Sequence, residues 1–330
     1  MRVLITGGTG FIGSRLALRH LELGDSVRVL GQENTDAEVE NRRLVEAEGA
    51  EIVLAPVTDS DAVMDAVRGM ELVYHLAAAQ HEKNVPSQLF WDVNVEGTRN
   101  VLESSLSAGV GRVVHGSTIG VYGSAMSGTL DETSQVSPDN IYGRTKLEGE
   151  RLALSYSDRL PVVAIRISET YGPGDRRMLK LFRAISKRTF VMIGKGSNLH
   201  HPIFIDDLNE GLRLAAAADG VSGKAFVLTG AEAVTTREMA DAIASALGTS
   251  VRGIRAPLPL IALVATMAAR VGGLLHVEPP IHPRTLDFFR KSFVFSQNGA
   301  AGALGFTPRF DFRSGVERTA KWYDDMGYLS

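Results

Sequence analysis

The 330-residue sequence contains no cysteine, which rules out disulfides, thiolate metal sites and a cysteine nucleophile and suits a reducing compartment. It has little net charge: 35 Lys and Arg against 38 Asp and Glu leave −3, so electrostatics gives no case for nucleic acid or an anionic membrane as a partner. Long apolar runs are missing too. The richest stretch, Pro257 to Leu275, is broken by Arg270, Gly272-Gly273 and Pro259, and falls short of the roughly 20 clean apolar residues of a bilayer span. It reads as a buried or half-buried helix. No basic leader with a cleavage site precedes Val3-Leu4-Ile5, so no signal peptide is expected and a cytoplasmic location is. Repeats and low-complexity tracts are also lacking. His200-His201 has no further ligand cluster beside it, so no metal is expected.

What is present is alternation. Apolar, β-branched runs at Val3–Ile5, Val27–Leu30, Ile52–Leu54, Leu72–Leu76, Val113–His115 and Val162–Ile167 predict strands. Helical spacing falls between them, at Phe11–Leu23, Ala62–Val67, Val93–Ala108 and Tyr142–Tyr156. Strands alternating with helices predict an α/β fold with a doubly wound parallel sheet, covered on both faces. After Ile167 the alternation fails, and helices are expected near Arg177–Lys187, Asp206–Ala218, Thr236–Leu247 and Gly315–Met326. The expected division is a first α/β domain at 1–167 and a smaller α/β domain at 168–330. Segments around 203–230 are expected to return to the first domain.

Thr6-Gly7-Gly8-Thr9-Gly10-Phe11-Ile12-Gly13 follows the first strand and opens the first helix. Gly7 suits a tight turn, Gly10 lets backbone N–H groups of the loop, Phe11 and Ile12 included, approach a pyrophosphate, and Gly13 allows close helix–strand packing. An acid ending the second strand would bind the adenosine ribose, but Gly31 stands there, followed by Gln32 and Glu33. Either could substitute, and no arginine follows Gly31 to meet a 2′-phosphate. NAD is therefore favoured over NADP, and 1–167 is expected to be a dinucleotide-binding Rossmann domain, with 168–330 mainly substrate-binding.

Tyr142 and Lys146, four residues apart, share one helix face. A phenol titrates near 10, too high for proton transfer at neutral pH, and a neighbouring ammonium would lower it. Such a pair can move a hydroxyl proton while hydride passes to or from a nicotinamide. Ser117 and Thr118 lie beyond the carboxyl end of a parallel strand, where such sheets bind ligands, and either could orient the substrate oxygen.

Together these motifs resemble the extended short-chain dehydrogenases/reductases, in the group of NAD-dependent, nucleotide-sugar epimerases and dehydratases. The residues that carry the likeness are Thr6–Gly13, His75-Leu76-Ala77-Ala78, Asn94–Thr98, Ser117-Thr118 with Val121-Tyr122-Gly123, Tyr142–Lys146, Tyr171–Gly174, Asp206-Asp207, Leu304–Pro308 and Trp322-Tyr323. The resemblance implies a catalytic triad of Thr118, Tyr142 and Lys146. It further implies a cofactor lined by Leu76, Ala77 and Ala78, Asn94 supporting the strand end, Lys146 on the nicotinamide ribose, and a homodimer built from helices 93–108 and 142–156. Substrate contacts carried over in the same way are Ala79, Gln80, Ser117, Thr118, Glu169, Thr170, His200 and Arg284.

The chain departs from that pattern at the substrate side. Glu169 replaces an asparagine, His200-His201-Pro202 replaces an arginine-bearing segment, and Ala55-Pro56-Val57 replaces an aspartate near the adenine. Lys180, Arg183, Arg284 and Arg290 remain as cations for a diphosphate. Ile119-Gly120 offers no acidic pair after Thr118, which disfavours dehydration. The expected activity is 4-epimerisation of a nucleotide sugar. The alternative is oxidation or reduction of a hydrophobic alcohol or ketone, as in the related 3β-hydroxysteroid dehydrogenases. A cofactor-sensing binding protein without turnover is disfavoured by the intact Tyr–Lys pair.

Overall fold

The computed structural model describes residues 1–80, 86–124, 128–259, 261, 263, 288–289 and 291–329. Seven parallel strands form the central sheet: β1 (Arg2–Thr6), β2 (Ser26–Gly31), β3 (Glu51–Leu54), β4 (Leu72–His75), β5 (Arg112–Thr118), β6 (Val162–Ile167) and β7 (Ala225–Leu228). Their spatial order is β7-β6-β5-β4-β1-β2-β3, so the chain reverses direction at β1, between β4 and β2. Ligands of open α/β sheets bind outside the carboxyl ends of the strands at such a reversal. β7 pairs in register with β6, Ala225 opposite Ala164 and Leu228 opposite Ile167.

Side chains of a strand point alternately to the two faces, and here both faces are apolar. Val3, Ile5, Val27, Val29, Tyr74, Val114, Val163 and Ile165 enter one core. Leu4, Leu30, Val73, Val113 and Val162 enter the other. The first core is covered by α1 (Phe11–Glu22) and α8 (Ile205–Ala217), the second by α3 (Ser60–Val67), α5 (Gly97–Ser107) and α6 (Ile141–Leu154). This is the doubly wound Rossmann arrangement that the alternation predicts.

Helix α2 (Asp36–Ala47) has no counterpart among the runs read from the sequence, because it is charged and buries only Val45. Its start is nonetheless marked by Thr35, whose hydroxyl accepts the Glu38 N–H. Ahead of α5 the chain forms α4 (Ser87–Trp91) and then a wide π turn at Asp92–Glu96.

The second half forms a smaller α/β layer with α7 (Leu179–Ser186), α9 (Thr236–Ala246), α10 (Asn298–Leu304) and α11 (Phe312–Asp325). Short two-stranded pairings hold it together, Ile203–Phe204 with Thr170–Tyr171 and Leu199–His200 with Val234–Thr235 among them. α11 returns to the core, where Tyr323 is fully buried against Phe182. Most of the apolar 257–275 stretch, Arg284 and Arg290 lie outside the described residues. Among the described residues no helix is long and apolar enough to cross a membrane.

Candidate active site

The glycine turn closes the carboxyl end of β1. Gly7 has φ 69°, and its N–H donates to Leu30 O at 2.8 Å. A Cβ there would lie 2.7 Å from Ala77 N, while one on Gly13 would collide with the Gly7 carbonyl, so both positions demand glycine. Gly10 caps α1 with extended backbone and no side-chain cap, which leaves the first N–H groups of that helix, at Phe11 and Ile12, for a phosphate. The backbone of Leu76 and Ala77 closes onto Thr6: Leu76 N–H donates to Thr6 O at 3.2 Å and Ala77 N–H to Thr6 Oγ1 at 3.3 Å. This backbone-on-backbone packing forms a cradle around the free N–H end of α1, which fits a dinucleotide phosphate. At the end of β2, a Cβ on Gly31 would lie 2.5 Å from Thr9 Oγ1, so the usual acid has no room. Gln32 is exposed, with its N–H on Thr9 Oγ1, and Glu33 pairs with Arg42 of α2 at 2.8 Å.

Behind the cradle runs a buried polar chain. Thr6 Oγ1 meets His75 Nδ1 at 2.8 Å, His75 Nε2 meets Thr98 Oγ1 at 2.9 Å, and Thr98 Oγ1 donates to Asn94 O at 2.8 Å. Burial, with help from the charge of Lys146, lowers His75 to about 3, so the ring is neutral. The π turn aims the Asn94 amide at the peptide of Ala79: Oδ1 accepts its N–H at 2.9 Å and Nδ2 donates to its carbonyl at 3.2 Å. A third bond joins Asn94 Nδ2 to Thr145 Oγ1 at 3.0 Å, which couples the end of β4 to α6.

α6 starts at Asn140, whose side chain accepts the Gly143 N–H at 2.9 Å. That cap sets Tyr142 and Lys146 one turn apart, facing the end of β5. Tyr142 is partly buried and hydrogen-bonds to Thr118, whose Oγ1 also accepts the Gly120 N–H at 3.1 Å. Burial pushes the phenol up, while the Thr118 hydrogen bond and the nearby Arg177 charge pull it down. Lys146 Nζ is buried and donates to Gly116 O, two residues before Thr118. Burial lowers Lys146 to about 8, against the opposing pull of Glu150.

The structure separates the two neighbouring hydroxyls. Thr118 meets Tyr142, whereas Ser117 is 4% exposed and donates to Glu150 Oε2 at 2.5 Å. Ser117 therefore turns into the protein, against its expected place on the substrate. Thr170 is turned inward as well, its Oγ1 on Ser168 O at 3.1 Å. The Ala79 side chain is buried, while Gln80 is exposed. Glu169 is exposed and reaches buried His200 Nδ1 at 3.1 Å, and His200 Nε2 meets Thr236 Oγ1 at 3.0 Å. His201 does not join it: its Nε2 meets Gly230 O and its Nδ1 accepts the Phe295 N–H, each at 3.1 Å, so burial keeps it neutral. Among the described residues no cluster could hold a metal ion.

Sequence reasoning passed over two groups. Arg177 lies over the Phe11 ring, 5.8 Å from its centroid, and is anchored to Asp175 at 3.0 Å and to Thr170 O at 2.5 Å. Its position just after Tyr171–Gly174 was the available signal. The second is the buried pair Glu150–Arg166, 2.7 Å apart; Glu150 follows Lys146 by one further helical turn.

Residues 3–229 match the NAD dependent epimerase/dehydratase family. A dTDP-glucose 4,6-dehydratase from Streptomyces niveus is 30% identical over 98% of this chain and 93% of its own length. A 3 beta-hydroxysteroid dehydrogenase/Delta 5→4-isomerase from Mycobacterium tuberculosis is 29% identical over 98% of this chain and 90% of its own. Among solved structures, UDP-glucuronic acid 4-epimerase from Bacillus cereus in complex with NAD superimposes with a TM-score of 0.81 at 22% identity, covering 99% of each chain. With the glycine cradle, the Tyr142–Thr118 contact and buried Lys146 on one sheet end, the chain belongs to the NAD-dependent epimerase/dehydratase family, as an enzyme of the extended short-chain dehydrogenase/reductase type.

Proposed function

We propose that this enzyme epimerises a nucleotide-diphosphate sugar at C4. The observation that carries the reading is the end of β5: Thr118 and Tyr142 form a hydroxyl pair with Lys146 beside them, and positions 119 and 120 hold no acid to drive dehydration. A bound nicotinamide supplies the hydride acceptor and donor. Thr118 and Tyr142 hold the C4 hydroxyl, and Tyr142 takes its proton as the C4 hydride departs. The 4-keto sugar turns over in the site, and Tyr142 returns the proton when hydride is delivered to the other face. Gln80, Glu169 and His200 are the proposed substrate contacts among the described residues, and Arg284 is proposed from the resemblance alone.

The cofactor is proposed to be NAD, which the similar UDP-glucuronic acid 4-epimerase structure holds. A homodimer through α5 and α6 is proposed too. The exposed charges there, Glu96, Glu103, Arg144, Glu148 and Arg151, carry both signs, so that dimer should loosen in high salt when followed by light scattering. A cytoplasmic location accords with the lack of cysteine.

A second reading, net oxidation of a hydrophobic secondary alcohol, is favoured by Glu169, whose carboxylate is adverse to a diphosphate, and by the hydroxysteroid dehydrogenase relative. The deciding experiment incubates the enzyme with UDP- and dTDP-sugars and NAD and follows C4 inversion by proton NMR. Interconversion without net NADH is expected. If every nucleotide sugar stays unchanged while a hydrophobic alcohol reduces NAD, the epimerase reading fails.

A further inference from the structure

The stripe of α6 that carries Tyr142 and Lys146 has a third member. Glu150 follows Lys146 by four residues, as Lys146 follows Tyr142, so all three face the same way. Each takes a partner from three successive residues at the end of β5. Tyr142 bonds Thr118, Lys146 Nζ donates to Gly116 O, and Ser117 Oγ donates to Glu150 Oε2. Glu150 is 2% exposed, and a carboxylate so deeply buried needs a paired cation. Arg166 of β6 supplies it through Nη2 at 2.7 Å and Nε at 3.1 and 3.2 Å, and its Nη1 donates to Tyr122 Oη at 2.8 Å. The chemistry proposed above uses neither Glu150 nor Arg166.

The surroundings of Lys146 show what the pair does. The titratable groups facing it are His75 on β4, His115 on β5, and Tyr142 and Glu150 on its own helix. Both histidines are fully enclosed, and burial keeps them neutral. Burial pushes the phenol up, against the Thr118 hydrogen bond and the Arg177 charge, so it adds no opposing anion of its own. Glu150 is left as the anion that acts on the ammonium.

We infer that Glu150 is a positioning residue of the acid–base site: anchored by Arg166 and Ser117, its carboxylate keeps Lys146 charged inside an otherwise neutral enclosure and fixes the strand end that presents Thr118. Without it, desolvation alone would act on the lysine, whose value of about 8 already lies close to neutral pH.

The test reads the lysine directly. Protein labelled with carbon-13 at lysine Cε is titrated by NMR, with the Lys146 signal assigned by its loss in Lys146→Met. The wild type should titrate near 8. Glu150→Gln should lower the midpoint by about one unit or more, the size of one charge removed at a helical turn's distance in a screened interior. Glu150→Gln with Arg166→Gln, which leaves no guanidinium unpaired, should lower it as well. Glu148→Gln removes a carboxylate from the same helix that is exposed and faces Arg151, and should leave the midpoint in place. An unmoved midpoint in either folded Glu150 variant overturns the inference, as does an equal shift in Glu148→Gln. Unfolding of the double variant also overturns it, since Glu150 would then serve the fold alone. No substrate enters the titration, so its outcome stands apart from that of the epimerase reading.

Discussion

Replacing Lys146 by methionine should stabilise the folded protein while it abolishes turnover. The lysine is 2% exposed, and burial brings its proton affinity from 10.5 down to about 8. At about 1.4 kcal/mol per unit, holding that charge costs the folded state roughly 3 kcal/mol at neutral pH. Methionine has a similar length and no charge, but it abandons the charge-assisted hydrogen bond to Gly116 O, worth about 1.5 kcal/mol. A net gain of about 1.5 kcal/mol is expected at pH 7. The pH dependence follows from the sign. The folded value is the depressed one, so between pH 8 and 10.5 the unfolded chain holds a proton that the folded protein has released, and wild-type stability rises there relative to the variant. The advantage of Lys146→Met should be full below pH 8 and close toward pH 10.5. Urea unfolding of both proteins at pH 7 and pH 10, followed by far-ultraviolet circular dichroism, measures it. A variant no more stable than wild type at pH 7, or an advantage independent of pH, refutes the reasoning.

Three other outcomes are expected. Tyr142→Phe removes the proton carrier and should slow turnover by about 10²–10⁴-fold with cofactor affinity unchanged, as read from single-turnover kinetics and fluorescence titration; undiminished activity would remove Tyr142 from the chemistry. Arg177→Met withdraws a charge that lowers the Tyr142 phenol, so the rising limb of the pH–rate profile, where the phenolate forms, should move to higher pH. Asn94→Ala leaves the buried Ala79 peptide and Thr145 without their partner and should cost about 2–3 kcal/mol in chemical denaturation; a loss under 1 kcal/mol would mean the π turn holds without it.

The strand runs and the glycine loop were legible because their signals are local. A strand buried on both faces must be apolar along its length, and a turn that presses Gly7 against Ala77 and Gly13 against Gly7 must be made of glycine. Helix α2 was not legible by apolar spacing, since it lies on the surface and holds its place through its cap and ion pairs. Ser117 was read outward and lies inward. Adjacent hydroxyls look alike in sequence, and only the docking of α6 against β5 hands one to Glu150 and the other to Tyr142.

The sequence by itself determined the family's fold, the cofactor loop and the spacing of Tyr142 and Lys146, because each is a matter of period or backbone conformation within a few residues. The tertiary structure alone decided the electrostatics. Arg166 meets Glu150 because β6 pairs with β5 while α6 packs across both, and Arg177 reaches Phe11 across 166 positions of chain. Glu169 finds His200 in the same way, 31 residues on. Charges interact through space and burial, and neither distance nor desolvation can be read along the chain.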